Sequence, residues 1–324
     1  MTSGRIVVPD QVDKQVGTSA VPRRRWGRSN ISIPVIPFGT QGFGNNFGPV
    51  ADQEAVALIH RAIELGVNHF DCARCYGDSL GKLALGLKGV PRERVVVSGR
   101  LCLHQHRAGL QQPLAPTADD ARRDVEAQLE LLGIDFFDAV LVHDPPEMEP
   151  VLADGGALAG LLRLKDEGLV RNVGFGMRPH DFHRQALATD LVDVMLTFSD
   201  FNLLRQSAAE PGGILEEAAR RDVGVLNGFS IMRGILTGAD VDAAAAKGRY
   251  RNEADIARAK QMRQWALERG VSLLAIALQF CLRDARVHGN PLGNQNVGDL
   301  EQNVAAVATP LPEGVLDAFV AARL

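Results

Sequence analysis

The chain has 324 residues, 46% of them apolar and 23% charged, with a formal net charge of −4 and a pI near 6.1. That composition allows a full hydrophobic core, holds no uninterrupted apolar run of about 18 residues for a membrane span, and excludes a dominant basic face for nucleic acid. The run Arg23, Arg24, Arg25 reads as a solvated segment where the core begins. Residues 1–25 carry charges throughout and lack the apolar centre of a signal peptide, so they are expected to form a poorly ordered arm, and residues 26–324 a single cytoplasmic domain. The 4 cysteines do not make a disulfide framework and agree with a reducing compartment.

In chain order, short β-branched runs recur at residues 33–39, 67–73, 94–100, 137–144, 170–177, 193–199, 223–229 and, weakly, 286–293. Amphipathic segments separate them. DQEAVALIHRAIELG places Ala55, Leu58, Ile59, Ala62 and Leu65 on one face and stops at Gly66, and TADDARRDVEAQLELLG opens on Thr117 with acids in its first turn. VSLLAIALQFCL and Trp265 read as core-facing, and His60 and His69 as structural histidines. Strands apolar on both faces, each followed by such a helix, predict a parallel sheet with helices outside, and eight units predict a closed (β/α)8 TIM barrel. An open doubly wound sheet would place GxGxxG after the first strand, whereas the chain has GTQGFGNNFG. Residues 238–254 read as a polar insertion, either a lid over the barrel mouth or a surface connection.

The chemistry of such a barrel sits at the carboxyl ends of its strands. There the sequence puts Asp71 and Tyr76 after the second strand, Arg100 after the third, and His143 with Asp144 after the fourth. An acid, a phenol, a permanent cation and an imidazole on one rim suggest acid–base work on a small molecule. Cys72, Cys75, Cys102, His104 and His106 crowd the same rim, but not with zinc-ribbon spacing, so no metal is expected and these residues read as buried thiols and loop histidines. Cys72 and Cys75 make a poor redox pair because no helix start follows them directly.

FDCARCYGDS, VVVSGR and VLVHDP resemble the signatures of the aldo-keto reductases, and DVMLTFSDFNLLRQ and VGVLNGFSIMRGILTG resemble the branch that oxidises free aldoses or pyridoxal. The resemblance implies a catalytic set of Asp71, Tyr76, Arg100 and His143, with a lysine of the family replaced by Arg100. It implies a nicotinamide cofactor, NAD or NADP, held by Thr40, Phe229, Gly293, Gln295, Asn296 and Asn303. Tyr76 would pass a proton to or from a carbonyl oxygen, Asp71 would hold the cation, and His143 would aim the substrate. Bringing a phenol from a pKa of about 10 toward 7 or 8 takes roughly 3–4 kcal/mol, whereas a charged hydrogen bond contributes about 1.5–3 kcal/mol, so a phenol less acidic than the family's is expected.

Further departures surround the cofactor. Where the family shows Ser-Asn after strand five, the chain offers Gly176 and Met177 or, in the sugar-oxidising branch's register, Arg178. Phe198 stands for a glutamine, Asp200-Phe201 for Arg-Tyr, Gly228 for an aromatic that Phe229 would have to replace, and Gln295 for the arginine expected at a 2′-phosphate. Two functions are therefore weighed: a nicotinamide-dependent oxidoreductase on a carbonyl or sugar-like alcohol, and a redox-neutral lyase, dehydratase or isomerase in which Arg100 binds an anionic substrate group.

Overall fold

The computed structural model describes residues 21–44, 48–103 and 115–324. Of the expected arm, residues 1–20 lie outside the described residues, as do His104 and His106. A short antiparallel hairpin comes first, β1 (Arg23–Arg25) with β2 (Ser32–Pro34). This corrects the reading of the arginine run as solvated for Arg23 and Arg24, whereas Arg25 is exposed. The Arg23 guanidinium donates to Asn68 at 2.9 Å, Arg24 donates to the carbonyls of Leu282 and Val287, and Arg25 pairs with Asp222. The expected first strand, residues 33–39, splits in two. Pro34 and Pro37 lack N–H groups, so Ile33 pairs in the hairpin and only β3 (Phe38–Gly39) enters the main sheet.

After β3, one 3-10 segment (Thr40–Gly44) leads to α1 (Asp52–Glu64) and β4 (His69–Asp71). The alternation continues through α2 (Ser79–Leu87), β5 (Val96–Cys102), α3 (Ala118–Leu132) and β6 (Ala139–His143). Next come α4 (Glu149–Leu152), α5 (Ala157–Asp166), β7 (Val173–Gly176), α6 (His180–Ala188) and β8 (Val194–Phe198). The last third holds α7 (Ile214–Arg220), β9 (Gly224–Gly228), α8 (Val241–Lys247), α9 (Glu253–Glu268), α10 (Leu273–Arg283), β10 (Leu292–Gly293), α11 (Val297–Ala308) and α12 (Val315–Ala321). The eight strands β3 to β10 form one parallel sheet in the order β10-β3-β4-β5-β6-β7-β8-β9. A bridge between Leu226 and Gly289 brings its ends together, with Asn227 N–H donating to the Gly289 carbonyl at 2.8 Å. The (β/α)8 expectation is borne out. No single helix among the described residues is long and apolar enough to cross a membrane.

The sheet's period of two decides what faces the barrel axis. Val96, Ala139, Leu141, Val194, Leu196 and Leu226 pack with Trp26 and Ile33 inside the barrel, while Phe70, Val97, Val140 and Val225 join the larger layer under the helices. Trp26, fully buried, closes the floor and lies 5.1 Å from the His69 ring. Trp265 and the apolar stripe of α10 are buried as expected.

Three imidazoles, His69 and His183 buried and His288 partly so, are built in as neutral groups. His69 lies 3.0 Å from the Ser98 hydroxyl, His183 lies 2.8 Å from the Met177 carbonyl, and His288 Nδ1 accepts from Val225 N–H at 2.9 Å. Burial pushes each of them down to about 4. Because the unfolded chain takes up these protons near pH 6.5 and the folded chain only near 4, their contribution is present above about 6.5 and is lost as the pH falls through that window. Each imidazole should therefore remove on the order of 1–2 kcal/mol by pH 5. Urea unfolding at a series of pH values checks this, and a midpoint unchanged between pH 6.5 and 4.5 would contradict it.

Candidate active site

The inward-facing positions, followed upward from the floor, end in the polar residues of the mouth. On β4 they are His69 and Asp71, on β5 Val96, Ser98, Arg100 and Cys102, and on β6 Ala139, Leu141 and His143. Strand register sets neighbours side by side: Asp71 pairs with Ser98, Arg100 with Leu141, and Cys102 with His143. Pairing of adjacent strands at fixed offsets is thus what collects residues 71, 100 and 143 on one rim.

Asp71 and Arg100 form an ion pair with side chains 5% and 4% exposed. Arg100 Nη2 donates to Asp71 Oδ2 at 2.7 Å and Nε to Oδ1 at 3.3 Å. A chain of hydrogen bonds from the floor supports the carboxylate. The Ser98 hydroxyl donates to Asp71 Oδ1 at 3.1 Å and in turn meets His69 Nε2 at 3.0 Å. Thr40 Oγ1 donates to the Asp71 carbonyl at 3.1 Å, and Gln128 Nε2 to the Arg100 carbonyl at 3.1 Å. Burial is the largest single influence and lowers the guanidinium's pKa, but the charge and hydrogen bond of Asp71, with Tyr76 and Asp144, together outweigh it and hold the group above its ordinary value. Arg100 is a fixed positive charge at every accessible pH.

Tyr76 sits on the loop between β4 and α2. Its backbone is pressed against Gly44, where a Cβ would meet the Tyr76 carbonyl oxygen at 1.9 Å, so only glycine permits that approach. The phenol ring stands edge-on to the His143 imidazole with centroids 5.9 Å apart. Burial holds the phenol above its ordinary pKa; Arg100 pulls it down, while Asp71 and Asp144 push it further up. The structure thus answers the question of the phenol's acidity: desolvation wins over the cation, and Tyr76 is protonated at neutral pH. Cys75 and Cys102, expected as separate thiols, are instead joined as a disulfide, because the loop leaving β4 carries Cys75 to the end of the adjacent β5, with Cα atoms 6.3 Å apart. Cys72 remains a buried free thiol whose pKa burial pushes up.

A cleft of about 620 Å³ contains Asp71, Tyr76, Arg100 and His143 in its wall and continues past Phe229 to Gly293, Gln295 and Asn303. Of the six residues expected at a cofactor, Phe229, Gly293, Gln295 and Asn303 line this cleft, and Thr40 and Asn296 do not. Thr40 is fully buried beneath Asp71, and Asn296 Oδ1 caps α11 by accepting Asp299 N–H at 2.8 Å. Met177 is buried in the core and Arg178 is exposed outside the cleft wall, so neither stands in for the family's amide-binding pair. The insertion after β9 lies over the mouth, with Asp240, Ala243, Ala244, Lys247 and Gly248 in the cleft wall. Arg233 ties it down by donating to the Gly248 carbonyl at 3.1 Å.

Two features have roles that the sequence did not suggest. Gly176 makes room for the cation: a Cβ there would lie 2.8 Å from Arg100 Nη1. Five of the ten non-glycine residues with positive φ among the described residues lie within a few residues past strand ends, at Asp144 (42°), Ser199 (65°), Phe229 (57°), Met232 (46°) and Arg233 (55°). Such backbone is costly and persists where the surroundings over-determine it, as at a built site. A larger groove of about 850 Å³ outside the barrel, by Leu85 and Leu131, holds none of the converging set.

The chain has 2 tyrosines, Tyr76 and Tyr250, and burial raises the pKa of both. Ultraviolet titration of the folded protein should therefore show no phenolate with a midpoint at or below about 10. A phenolate signal of one residue appearing near pH 8, absent in Tyr76→Phe, would contradict this reading of the site.

Residues 35–323 match the Aldo/keto reductase family. The chain is 28% identical over 320 residues to D-threo-aldose 1-dehydrogenase of a Pseudomonas species, covering 91% of this chain and 96% of that one. It is 26% identical over 296 residues to L-galactose dehydrogenase of Arabidopsis thaliana, covering 88% and 87%. It is also 26% identical over 335 residues to pyridoxal 4-dehydrogenase of Microbacterium luteolum, covering 91% and 95%. Among solved structures, an aldo-keto reductase of Bacillus halodurans in its holo form superposes with a TM-score of 0.75 at 20% identity, over 92% of this chain and 95% of that one. With a barrel of this order and a family match over nearly its whole length, the chain belongs to the aldo/keto reductase family and is an oxidoreductase.

Proposed function

We propose that the protein reduces a small carbonyl compound, or oxidises the corresponding sugar-like alcohol, with NAD as the preferred nicotinamide cofactor. The observation that carries this reading is the single cleft in which Tyr76, His143 and the Asp71–Arg100 pair share a wall with Phe229 and the polar residues before and along α11. The donor set suits a diphosphate-bridged dinucleotide. Arg233 and Lys247 supply positive charge, Phe229 an aromatic face, and Gln295 and Asn303 amide groups toward α11. Asp299 favours a ribose hydroxyl over a 2′-phosphate: its carboxylate lies in the same wall and accepts Gln295 N–H at 3.1 Å, so a phosphate beside it would meet like charge.

The bound nicotinamide would supply or accept the hydride. The chain's own residues would do the rest. Tyr76, protonated at neutral pH, would donate its proton to the carbonyl oxygen in reduction. His143, edge-on to that phenol, would hold the same oxygen in line. Arg100 would stabilise the oxygen's developing negative charge through its fixed positive field, as a preorganised group rather than a mobile one. In the oxidative direction Tyr76 must first lose its proton, and its raised pKa makes that direction depend on alkaline pH.

The redox-neutral alternative asks Arg100 to grip an anionic substrate group. Its Nε and Nη2 are already engaged with Asp71 inside the barrel mouth, which favours the oxidoreductase reading. To test the proposal, NADH and NADPH are titrated into wild-type protein and Tyr76→Phe while nicotinamide fluorescence is followed, and turnover is measured on an aldehyde panel. NADH should bind both proteins, more tightly than NADPH, and turnover should fall by about 10²–10⁴-fold in the variant. Failure of both cofactors to bind at millimolar concentration would remove the reading, and a variant that keeps its rate would clear Tyr76.

A further inference from the structure

The disulfide expected by neither composition nor spacing has a third neighbour. His143 Nδ1 lies 3.6 Å from Cys75 Sγ and 3.5 Å from Cys102 Sγ, and these three ligand atoms lie within 4.8 Å of one another. All three residues are buried, with relative exposures of 8%, 7% and 5%. A covalent bond between two sulfurs does not explain why an imidazole nitrogen is set nearly equidistant from both.

Tetrahedral coordination does. With zinc–sulfur bonds of about 2.3 Å and a zinc–nitrogen bond of about 2.0–2.1 Å, the sulfur and nitrogen corners of the tetrahedron stand about 3.6 Å apart. Both sulfur–nitrogen distances in the structure match that edge. The two sulfur corners would stand about 3.8 Å apart, which needs the bond between them to be reduced and the side chains to swing apart. We propose that Cys75, Cys102 and His143 Nδ1 form a three-ligand site for a thiophilic divalent cation of the zinc class, and that the disulfide is the oxidised form of that site.

The chemistry balances. A phosphine reductant and water convert the disulfide to two thiols and a phosphine oxide, and cation binding then displaces one proton from each thiol into solvent. Three protein ligands leave one tetrahedral position for water or a substrate atom. Binding through Nδ1 also fixes the tautomer of His143, so that Nε2, on the far side of the ring and 3.7 Å from Asp144 Oδ2, carries the hydrogen. That makes His143 a permanent donor toward the cleft, a consequence that rests on the oxidoreductase reading; the binding itself does not.

The full-length protein is reduced with a phosphine, freed of excess reagent under anaerobic conditions, and loaded with zinc or cobalt(II) in separate samples. Elemental analysis should give one zinc per chain. Cobalt should give an intense thiolate-to-metal charge-transfer band in the near ultraviolet with visible bands of tetrahedral strength. Both signals should be lost in Cys75→Ser and Cys102→Ser. As a check independent of how those variants fold, zinc should protect Cys75 and Cys102 of the wild type from alkylation, read by mass spectrometry of peptides. Metal-free reduced protein, a cobalt spectrum without a thiolate band, a band that survives loss of either cysteine, or a disulfide that resists reduction in the folded chain would each overturn the proposal. None of these readouts depends on turnover, so a failed activity assay leaves the site testable and a failed metal assay leaves the oxidoreductase reading standing.

Discussion

The site depends on one buried ion pair. Removing a carboxylate and a guanidinium from water costs several kcal/mol for each, and the Asp71–Arg100 contact offsets that cost only because its geometry is good and its remaining hydrogen-bonding capacity is used. The surrounding structure meets both conditions. Two hydrogen bonds join the partners, Ser98 satisfies the carboxylate from below, and His69 backs Ser98 from the barrel floor. Chain direction and strand register place all of these groups on the inner face, so the pair cannot form without the barrel.

The presence of arginine at position 100 makes sense in these terms. A guanidinium is wider than an ammonium and planar, and its extra nitrogen needs space. The structure supplies it across the barrel at Gly176, where any side chain would press on Nη1. The glycine at 176 is therefore tied to the cation. The same pair sets the electrostatics of Tyr76. Because Arg100 is closely matched by Asp71, its pull on the phenol is partly cancelled, and desolvation decides the outcome. The result is a mouth in which the phenol is held protonated beside a permanent positive charge.

Much of this was legible in the sequence because it rests on period and order. Alternating strands and amphipathic helices specify the barrel, and strand ends specify the rim, so Asp71, Tyr76, Arg100 and His143 could be placed together before any coordinates. What was not legible depends on lateral register, which no local pattern encodes. Ser98 is one more polar residue in a strand until register sets it beside Asp71. Cys75 and Cys102 are 27 residues apart and meet only because the loop leaving β4 reaches the end of the adjacent β5. Thr40 and Asn296 have the right chemistry for a cofactor, but one turns under Asp71 and the other is consumed in capping α11. Arg23 and Arg24 look solvated in sequence because their partners, from Asn68 to Val287, are far away along the chain.

The most direct measurement of the account is a double-mutant cycle on the pair, with Asp71→Asn, Arg100→Gln and the double variant compared with wild type by urea unfolding. If the pair is the constraint described, each single variant strands a buried group, is destabilised by about 3–5 kcal/mol, and couples to the other by about 2–3 kcal/mol, so that the double variant loses that much less than the sum of the two singles. Additive effects, with a coupling below about 0.5 kcal/mol, would mean that the two groups are stabilised independently and would contradict the account.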